Sequence, residues 1–118
     1  MMLDWNGYMK EVQSRTAEMG RISPEIIRGY RALSDAAQKT NKLDAKTREL
    51  IALAVAISLR CDGCITIHTS AAIKNGASEE EIVEALGVAI GVNAGAALVY
   101  SGRVLDAFHA KTDASPTT

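Results

Sequence analysis

The chain has 118 residues and a net charge of −1; 47% of its residues are hydrophobic and 4% are aromatic. A nearly neutral chain has no basic surface for nucleic acid or an anionic membrane, so we expect neither as a partner. A core of Ala, Ile, Leu and Val in a chain of this length predicts one domain of packed helices.

Capping residues place the first two helices. Asp4 precedes apolar residues that recur at helical spacing, and we expect Gly20 to end this helix. Ser23 and Pro24 are typical of an N-cap and a first helical position, and they predict a second helix that ends near Thr40.

A third and a fourth helix follow as a pair. Asp44 caps the third, which is apolar nearly all round over residues 50–59 and is therefore expected at the centre of the fold. The pattern breaks over residues 60–63, and a fourth helix is predicted to run to Asn75. A capping box that begins at Ser78 starts the fifth helix.

The last part of the chain predicts a sixth helix, because the pattern loosens over residues 91–95 and resumes to about Ala110. The predicted fold is all-α, a bundle of about six helices in one domain over residues 1–110, with residues 111–118 as a mobile tail. So many apolar helix faces in a small chain indicate that oligomerisation completes the core.

The most apolar stretch, residues 86–100, is shorter than the roughly 20 residues of a membrane-spanning helix. Gly87, Gly91 and Gly95 line one helical face within it, which favours close approach of two helix backbones inside a soluble bundle over paired membrane spans. The first residues lack the apolar run of a secretory signal, so we expect a cytoplasmic protein.

The segment RCDGCITIH, residues 60–68, carries both cysteines and one of the two histidines. On a helix Cys61, Cys64 and His68 project from one face, because they are three and four residues apart. A helix start favours an anion and therefore a reactive thiolate. Two cysteines at this spacing are able to cycle between dithiol and disulfide while His68 carries the proton.

Glu49 lies at the edge of an apolar run, where an acid requires a partner. In an antiparallel hairpin of the third and fourth helices, Glu49 lies ~16 Å from the turn and His68 ~11 Å, so Glu49 is closer to His68 than to either sulfur. The carboxylate would then orient the imidazole and balance its charge.

These residues form the pattern E-x11-C-x2-C-x3-H. The segment RELIALAVAISLRCDGCITIHTSAAIKNGASEEEIVEAL, residues 48–86, resembles the core of the carboxymuconolactone decarboxylase / AhpD-like family, over about a third of the chain. The resemblance implies an all-helical fold that assembles as trimers or hexamers. For the CxxC branch it also implies reduction of organic hydroperoxides and re-reduction by a dithiol, thioredoxin-like or lipoyl partner, without a metal or cofactor.

By this resemblance Cys64 matches the cysteine that attacks the peroxide and becomes a sulfenic acid. Cys61 matches the resolving cysteine and proton donor, and Glu49 and His68 match the proton relay. Some AhpD proteins carry a histidine between the cysteines, where this chain has Asp62-Gly63, and the acid there is expected to slow peroxide reduction. The decarboxylase branch lacks the CxxC pair, which disfavours a lactone decarboxylase.

The residues alone leave three alternatives open. Cys61, Cys64, His68 and Glu49 offer sulfur, nitrogen and oxygen ligands to zinc. The cysteines also fit a non-catalytic helical module that buries them. Finally, the pair fits a general thiol–disulfide oxidoreductase or redox sensor, which the sequence does not separate from a peroxidase.

Overall fold

The computed structural model describes residues 1–112, and within them it contains five α-helices and no β-strand. In chain order the helices are α1 (Trp5–Ile22), α2 (Pro24–Thr40), α3 (Ala45–Leu59), α4 (Asp62–Lys74) and α5 (Glu79–Thr112). The predicted all-α fold is confirmed, with five helices where about six were expected.

Side-chain caps start three of these helices where the sequence predicted them. Asp4 and Asp44 each accept a hydrogen bond from the backbone N–H three residues later, at 3.1 and 2.8 Å. Ser78 and Glu81 form the predicted capping box, in which each side chain accepts the other residue's backbone N–H, at 3.1 and 2.9 Å. These contacts are local, so a short stretch of sequence is enough to specify them.

The expectation that Gly20 ends α1 was wrong, because the helix continues to Ile22. A Cβ atom at Gly20 would lie 3.2 Å from Cγ1 of Ile27 in α2. An alanine here would require the Ile27 side chain to shift by a few tenths of an ångström, so glycine suits the close approach of α2, which folds back onto α1.

The predicted break over residues 91–95 was also wrong, because α5 is one helix of 34 residues. A glycine inside a helix costs only about 1 kcal/mol relative to alanine, and α5 contains many Ala, Leu and Glu residues, which are strong helix formers. Asn93 adds a tie to α3, since its amide donates to the Ser58 hydroxyl at 2.8 Å and to the Ala89 carbonyl at 2.7 Å. The helix includes Lys111 and Thr112 of the predicted tail, and residues 113–118 lie outside the described residues.

The helices pack in the order α2, α1, α4, α3, α5, so α3 lies between α4 and α5 as predicted. A small core of aliphatic side chains joins these three helices: Leu53, Ala56, Ala72 and Ala89. The one buried polar residue in the described part of the chain, Thr66, donates its hydroxyl to the Trp5 carbonyl at 3.1 Å. That bond ties α4 to α1.

Helix α5 packs against α3 alone and leaves most of its apolar surface exposed. The exposed large side chains on it are Val83, Val88, Ile90, Val92, Leu98, Val99, Tyr100, Val104, Leu105 and Phe108. An 18-residue stretch of α5 is apolar enough to cross a membrane by length and composition, and 6% of that stretch is buried. The expectation of a helix too short to span a membrane was therefore wrong.

The glycine stripe of α5 does not mediate helix packing within the described chain. A Cβ atom built on Gly87, Gly91 or Gly95 meets nothing within 4 Å. The expected close approach of two backbones inside the bundle is thus wrong for the protomer, because α3 packs against a different face of α5.

Candidate functional site

A sharp turn joins α3 to α4 and creates the site. Arg60 has left-handed backbone angles, with φ 54° and ψ 48°. Its N–H donates to the Ile57 carbonyl at 3.2 Å, while the Cys61 N–H donates to the Ala56 carbonyl at 3.0 Å. This pair of bonds is a Schellman motif, in which glycine is the usual left-handed residue. Arginine is not a typical left-handed residue, so the sequence predicted a break over residues 60–63 without showing that Arg60 is the left-handed residue of the turn.

The two cysteines lie at the start of α4. Cys61 is the N-cap, and its Sγ accepts the Cys64 backbone N–H at 3.2 Å. Cys61 and Cys64 form a disulfide, with their Cα atoms 5.3 Å apart. Both residues are half-buried. The helix start thus directs a backbone donor at Cys61 in particular, which the spacing alone did not reveal.

Glu49 and His68 face each other across the α3–α4 hairpin. Oε2 of Glu49 lies 2.7 Å from Nδ1 of His68, and the two side chains are 22% and 34% exposed. When the Nδ1 proton is donated to the carboxylate, Nε2 is the basic nitrogen of the ring. The contact that the hairpin geometry predicted is therefore present.

His68 follows Cys64 by four residues on the same helix. The two side chains share a face of α4, about 6 Å apart along the helix axis. The Glu49 carboxylate, the His68 imidazole and the Cys64 sulfur thus lie in this order toward the α3–α4 turn. Each of the two sulfurs has a different polar group near it. Cys61 has a backbone donor, and Cys64 has the imidazole one turn away.

The residues between the cysteines have different surroundings. Asp62 is exposed in the first turn of α4. A Cβ atom at Gly63 would lie 3.6 Å from both methyl groups of Val12 in α1. A side chain longer than alanine at position 63 would press on α1, so the packing of α1 against α4 is matched to a glycine beside Cys64.

Polar contacts hold the first turn of α3, which carries Glu49. Lys46 donates to Glu81 at 2.7 Å, and this hydrogen bond raises the pKa of Lys46 and lowers the pKa of Glu81. Hydrogen bonds from Thr47 lower the pKa of the Asp44 carboxyl. The Lys46–Glu81 contact thus ties the start of α3 to α5, and the Asp44 cap begins the helix that carries Glu49.

The ligand set that the zinc alternative requires is not assembled here. Among residues 1–112, no three His, Cys, Asp or Glu side chains are grouped to hold a metal ion. Cys61 and Cys64 are bonded to each other, and His68 is paired with Glu49. The half-buried cysteines also differ from the buried pair expected of a non-catalytic module.

Comparison with known proteins identifies the family. A family model described as "Carboxymuconolactone decarboxylase family" matches residues 24–107, which include α2, α3, α4 and most of α5. The chain belongs to the carboxymuconolactone decarboxylase family. It is 49% identical to an uncharacterized protein of Haemophilus influenzae over 108 residues, which cover 92% of this chain and 96% of that protein.

Two further proteins are similar to this chain over most of their length. The chain is 35% identical to "Uncharacterized protein 4 in cox locus" of Paracoccus denitrificans, over 82% of this chain and 87% of that protein. Its fold is similar to the crystal structure of the apo form of a carboxymuconolactone decarboxylase family protein from Legionella pneumophila, with a TM-score of 0.72 and 36% identity. That match covers 89% of this chain and 94% of the Legionella chain.

Proposed function

We propose that this family member is a thiol-dependent peroxidase that reduces organic hydroperoxides. The observation that carries the proposal is the 2.7 Å contact between Glu49 and His68, one helical turn from a cysteine pair at a helix start. A cysteine pair alone fits many redox roles, whereas a carboxylate–imidazole pair on the same hairpin supplies the base that a thiol needs for attack.

The first step oxidises Cys64. His68 accepts the thiol proton, and the resulting thiolate attacks the terminal oxygen of the hydroperoxide. The O–O bond breaks, the Cys64 sulfur becomes a sulfenic acid, and the alkoxide leaves with two electrons. Cys61 donates its thiol proton to the alkoxide, which is released as an alcohol. The N–H of Cys64, 3.2 Å from the Cys61 sulfur, stabilises the thiolate that this transfer leaves.

The second step resolves the sulfenic acid. The Cys61 thiolate attacks the Cys64 sulfur, the S–O bond breaks, and hydroxide leaves with the proton that His68 has held, as water. The product is the Cys61–Cys64 disulfide. A dithiol reductant, thioredoxin-like or lipoyl in type, then reduces the disulfide and becomes a disulfide itself. In that exchange Cys61, with its backbone donor, is the better leaving group.

A steady-state assay tests the proposal. Purified protein with dithiothreitol should consume cumene hydroperoxide and release the corresponding alcohol in equal amounts. Cys64→Ser should abolish turnover, because serine cannot form the sulfenic acid. Wild-type protein that is first reduced and then alkylated with iodoacetamide should be equally inactive. Turnover that survives in Cys64→Ser would reject Cys64 as the nucleophile.

The half-exposed disulfide also favours a second candidate, a general thiol–disulfide oxidoreductase. Such a protein exchanges disulfides with other proteins and has no need of a base positioned for peroxide attack. Reduction of insulin disulfides distinguishes the two functions. Rapid insulin reduction without hydroperoxide turnover would favour the second candidate.

We further propose that the protein is a cytoplasmic homo-oligomer, a trimer or a hexamer. The chain exposes 9367 Å² of surface, whereas a folded monomer of 12.6 kDa exposes roughly 6,200 Å². The excess of about 3,000 Å² is larger than the ~800 Å² that one standard interface buries per partner, so each copy has room for more than one neighbour. Analytical ultracentrifugation should give three or six times the monomer mass, and a monomer would contradict this proposal.

A further inference from the structure

A cavity of about 490 Å³ opens beside the Glu49–His68 pair. It lies between the C-terminal half of α2, the turn that follows it and the first turns of α3. Glu49 and His68 both line it, while neither cysteine does. The cavity therefore adjoins the proposed relay, the two cysteines lie outside its lining, and the mechanism above makes no use of it.

Two cations line this cavity at one end. Lys42 lies in the turn before α3, and Arg48 lies on the first turns of α3. The Arg48 guanidinium donates to the Leu43 carbonyl, which holds it against the turn and leaves other N–H groups for a ligand. Asp44, between them in sequence, is a helix cap outside the lining and accepts the N–H of Thr47.

The charges around the cavity do not cancel. The one acidic residue in its lining is Glu49, and that carboxylate is hydrogen-bonded to His68. No second carboxylate lines the cavity to pair with Lys42 or Arg48, although the nearby Asp44 carboxylate, a helix cap outside the lining, offsets part of the Arg48 charge. Leu43, Ile51 and Ala52 add apolar surface to the same lining. An apolar body with an anionic end fits this arrangement.

We propose that the cavity binds the carboxylate end of an amphipathic organic hydroperoxide. This inference rests on the proposed peroxidase function and names its substrate class. The carboxylate pairs with Arg48 and Lys42, the apolar body lies along Ile51, and the hydroperoxide reaches past His68 toward Cys64. Helix geometry places Arg48 and Cys64 on the order of 10 Å apart along the hairpin. A substrate with an aromatic ring between its carboxylate and its hydroperoxide spans this distance.

Binding of an unreactive analogue tests the site independently of turnover. Calorimetric titration of the reduced protein should show that para-isopropylbenzoate binds about tenfold more tightly than para-isopropylbenzamide, which has the same shape without the charge. Lys42→Gln should remove most of this preference, and Arg48→Gln should do the same. Lys39→Gln is the matched control, because Lys39 is exposed on the same end of α2 but does not line the cavity.

Equal binding of the two analogues, no binding of either, or a benzoate affinity unchanged by Lys42→Gln would each overturn the proposal. Lys42→Gln is informative even if Arg48→Gln unfolds, because Lys42 makes none of the contacts that begin α3.

Hydroperoxide turnover separates this inference from the function on which it rests. Cumene hydroperoxide and its para-carboxy derivative should differ about tenfold in kcat/KM, in favour of the carboxylate. Equal turnover of both would contradict the inference and leave the peroxidase function intact. Benzoate binding that depends on Lys42, in a protein that reduces neither hydroperoxide, would support the anion site and contradict the function.

Discussion

Replacing Glu49 by glutamine tests the relay with little change of shape. The amide keeps a hydrogen-bond acceptor near Nδ1 of His68 but removes the negative charge 2.7 Å away. A hydrogen bond to a charged partner contributes about 1.5–3 kcal/mol, and the partial exposure of both side chains, 22% and 34%, places this pair at the low end. A loss of ~1.5 kcal/mol from the transition state lowers kcat/KM about tenfold.

The same substitution should raise the pH at which Cys64 reacts with iodoacetamide. Without the carboxylate, His68 is a weaker base for the Cys64 thiol, so the thiolate forms at higher pH. Alkylation rates of the reduced protein, measured across pH on a Cys61→Ser background, report this directly. Glu49→Ala should lose more activity than Glu49→Gln, because it also frees the imidazole to rotate.

Two controls make the result interpretable. Glu84→Gln removes an exposed acid on α5 and should change neither kcat/KM nor the pH dependence of alkylation. Asp62→Asn removes the acid beside the cysteines and should move the alkylation profile to lower pH, opposite to Glu49→Gln. A Glu49→Gln protein with the wild-type profile and wild-type turnover would remove Glu49 from the relay.

Other residues yield predictions that other methods check. Cys61→Ser should consume one equivalent of hydroperoxide and retain a sulfenic acid on Cys64, detectable with a dimedone probe; absence of the adduct would count against the two roles. Glu81→Gln should make the free energy of unfolding less dependent on acid pH. Bonding to Lys46 lowers the pKa of Glu81 below its ordinary 4.5. The Glu81 carboxylate therefore contributes fully to stability above pH 4.5, and this contribution is lost as the pH falls through the lowered pKa. Urea unfolding at pH 7 and pH 3 measures this, and equal acid sensitivity in both proteins would refute it. Thr66→Val removes the hydroxyl donor that ties α4 to α1 and should cost about 1 kcal/mol, or roughly 4 °C in Tm; an unchanged Tm by calorimetry would contradict that role.

Local determinants of the fold were predictable from sequence. Asp4, Asp44 and the capping box at Ser78 each join residues three positions apart. A short stretch of sequence is therefore enough to predict where these helices start. The Glu49–His68 contact was also predictable, because a tight turn between two helices fixes their register and leaves few partners for a semi-buried acid.

Features that depend on distant parts of the chain were not predictable. Gly20 looks like a helix end, but its role is set by Ile27 on the next helix. Thr66 resembles an ordinary polar helix residue, and only the packing of α1 makes its hydroxyl a tie between helices. The cavity beside His68 depends on where α2 lies relative to α3, and no local pattern encodes that placement.

The length of α5 shows a different limit of sequence reasoning. The loosened pattern over residues 91–95 predicted a break, whereas the hydrogen bonds of a long helix tolerate Gly91 and Gly95 at modest cost. The face that they line is open in the protomer. In the oligomer that we propose, this face packs against another copy of the chain, so the residues around the glycines do not specify what covers it.

A single-turnover reaction tests the peroxidase chemistry most directly. Fully reduced protein is mixed with one equivalent of cumene hydroperoxide in the absence of reductant and quenched for intact-mass measurement. We expect loss of two hydrogen atoms, one new Cys61–Cys64 disulfide and one molecule of alcohol per chain. Unchanged thiols with intact hydroperoxide, after a time in which free dithiothreitol alone reacts, would contradict it.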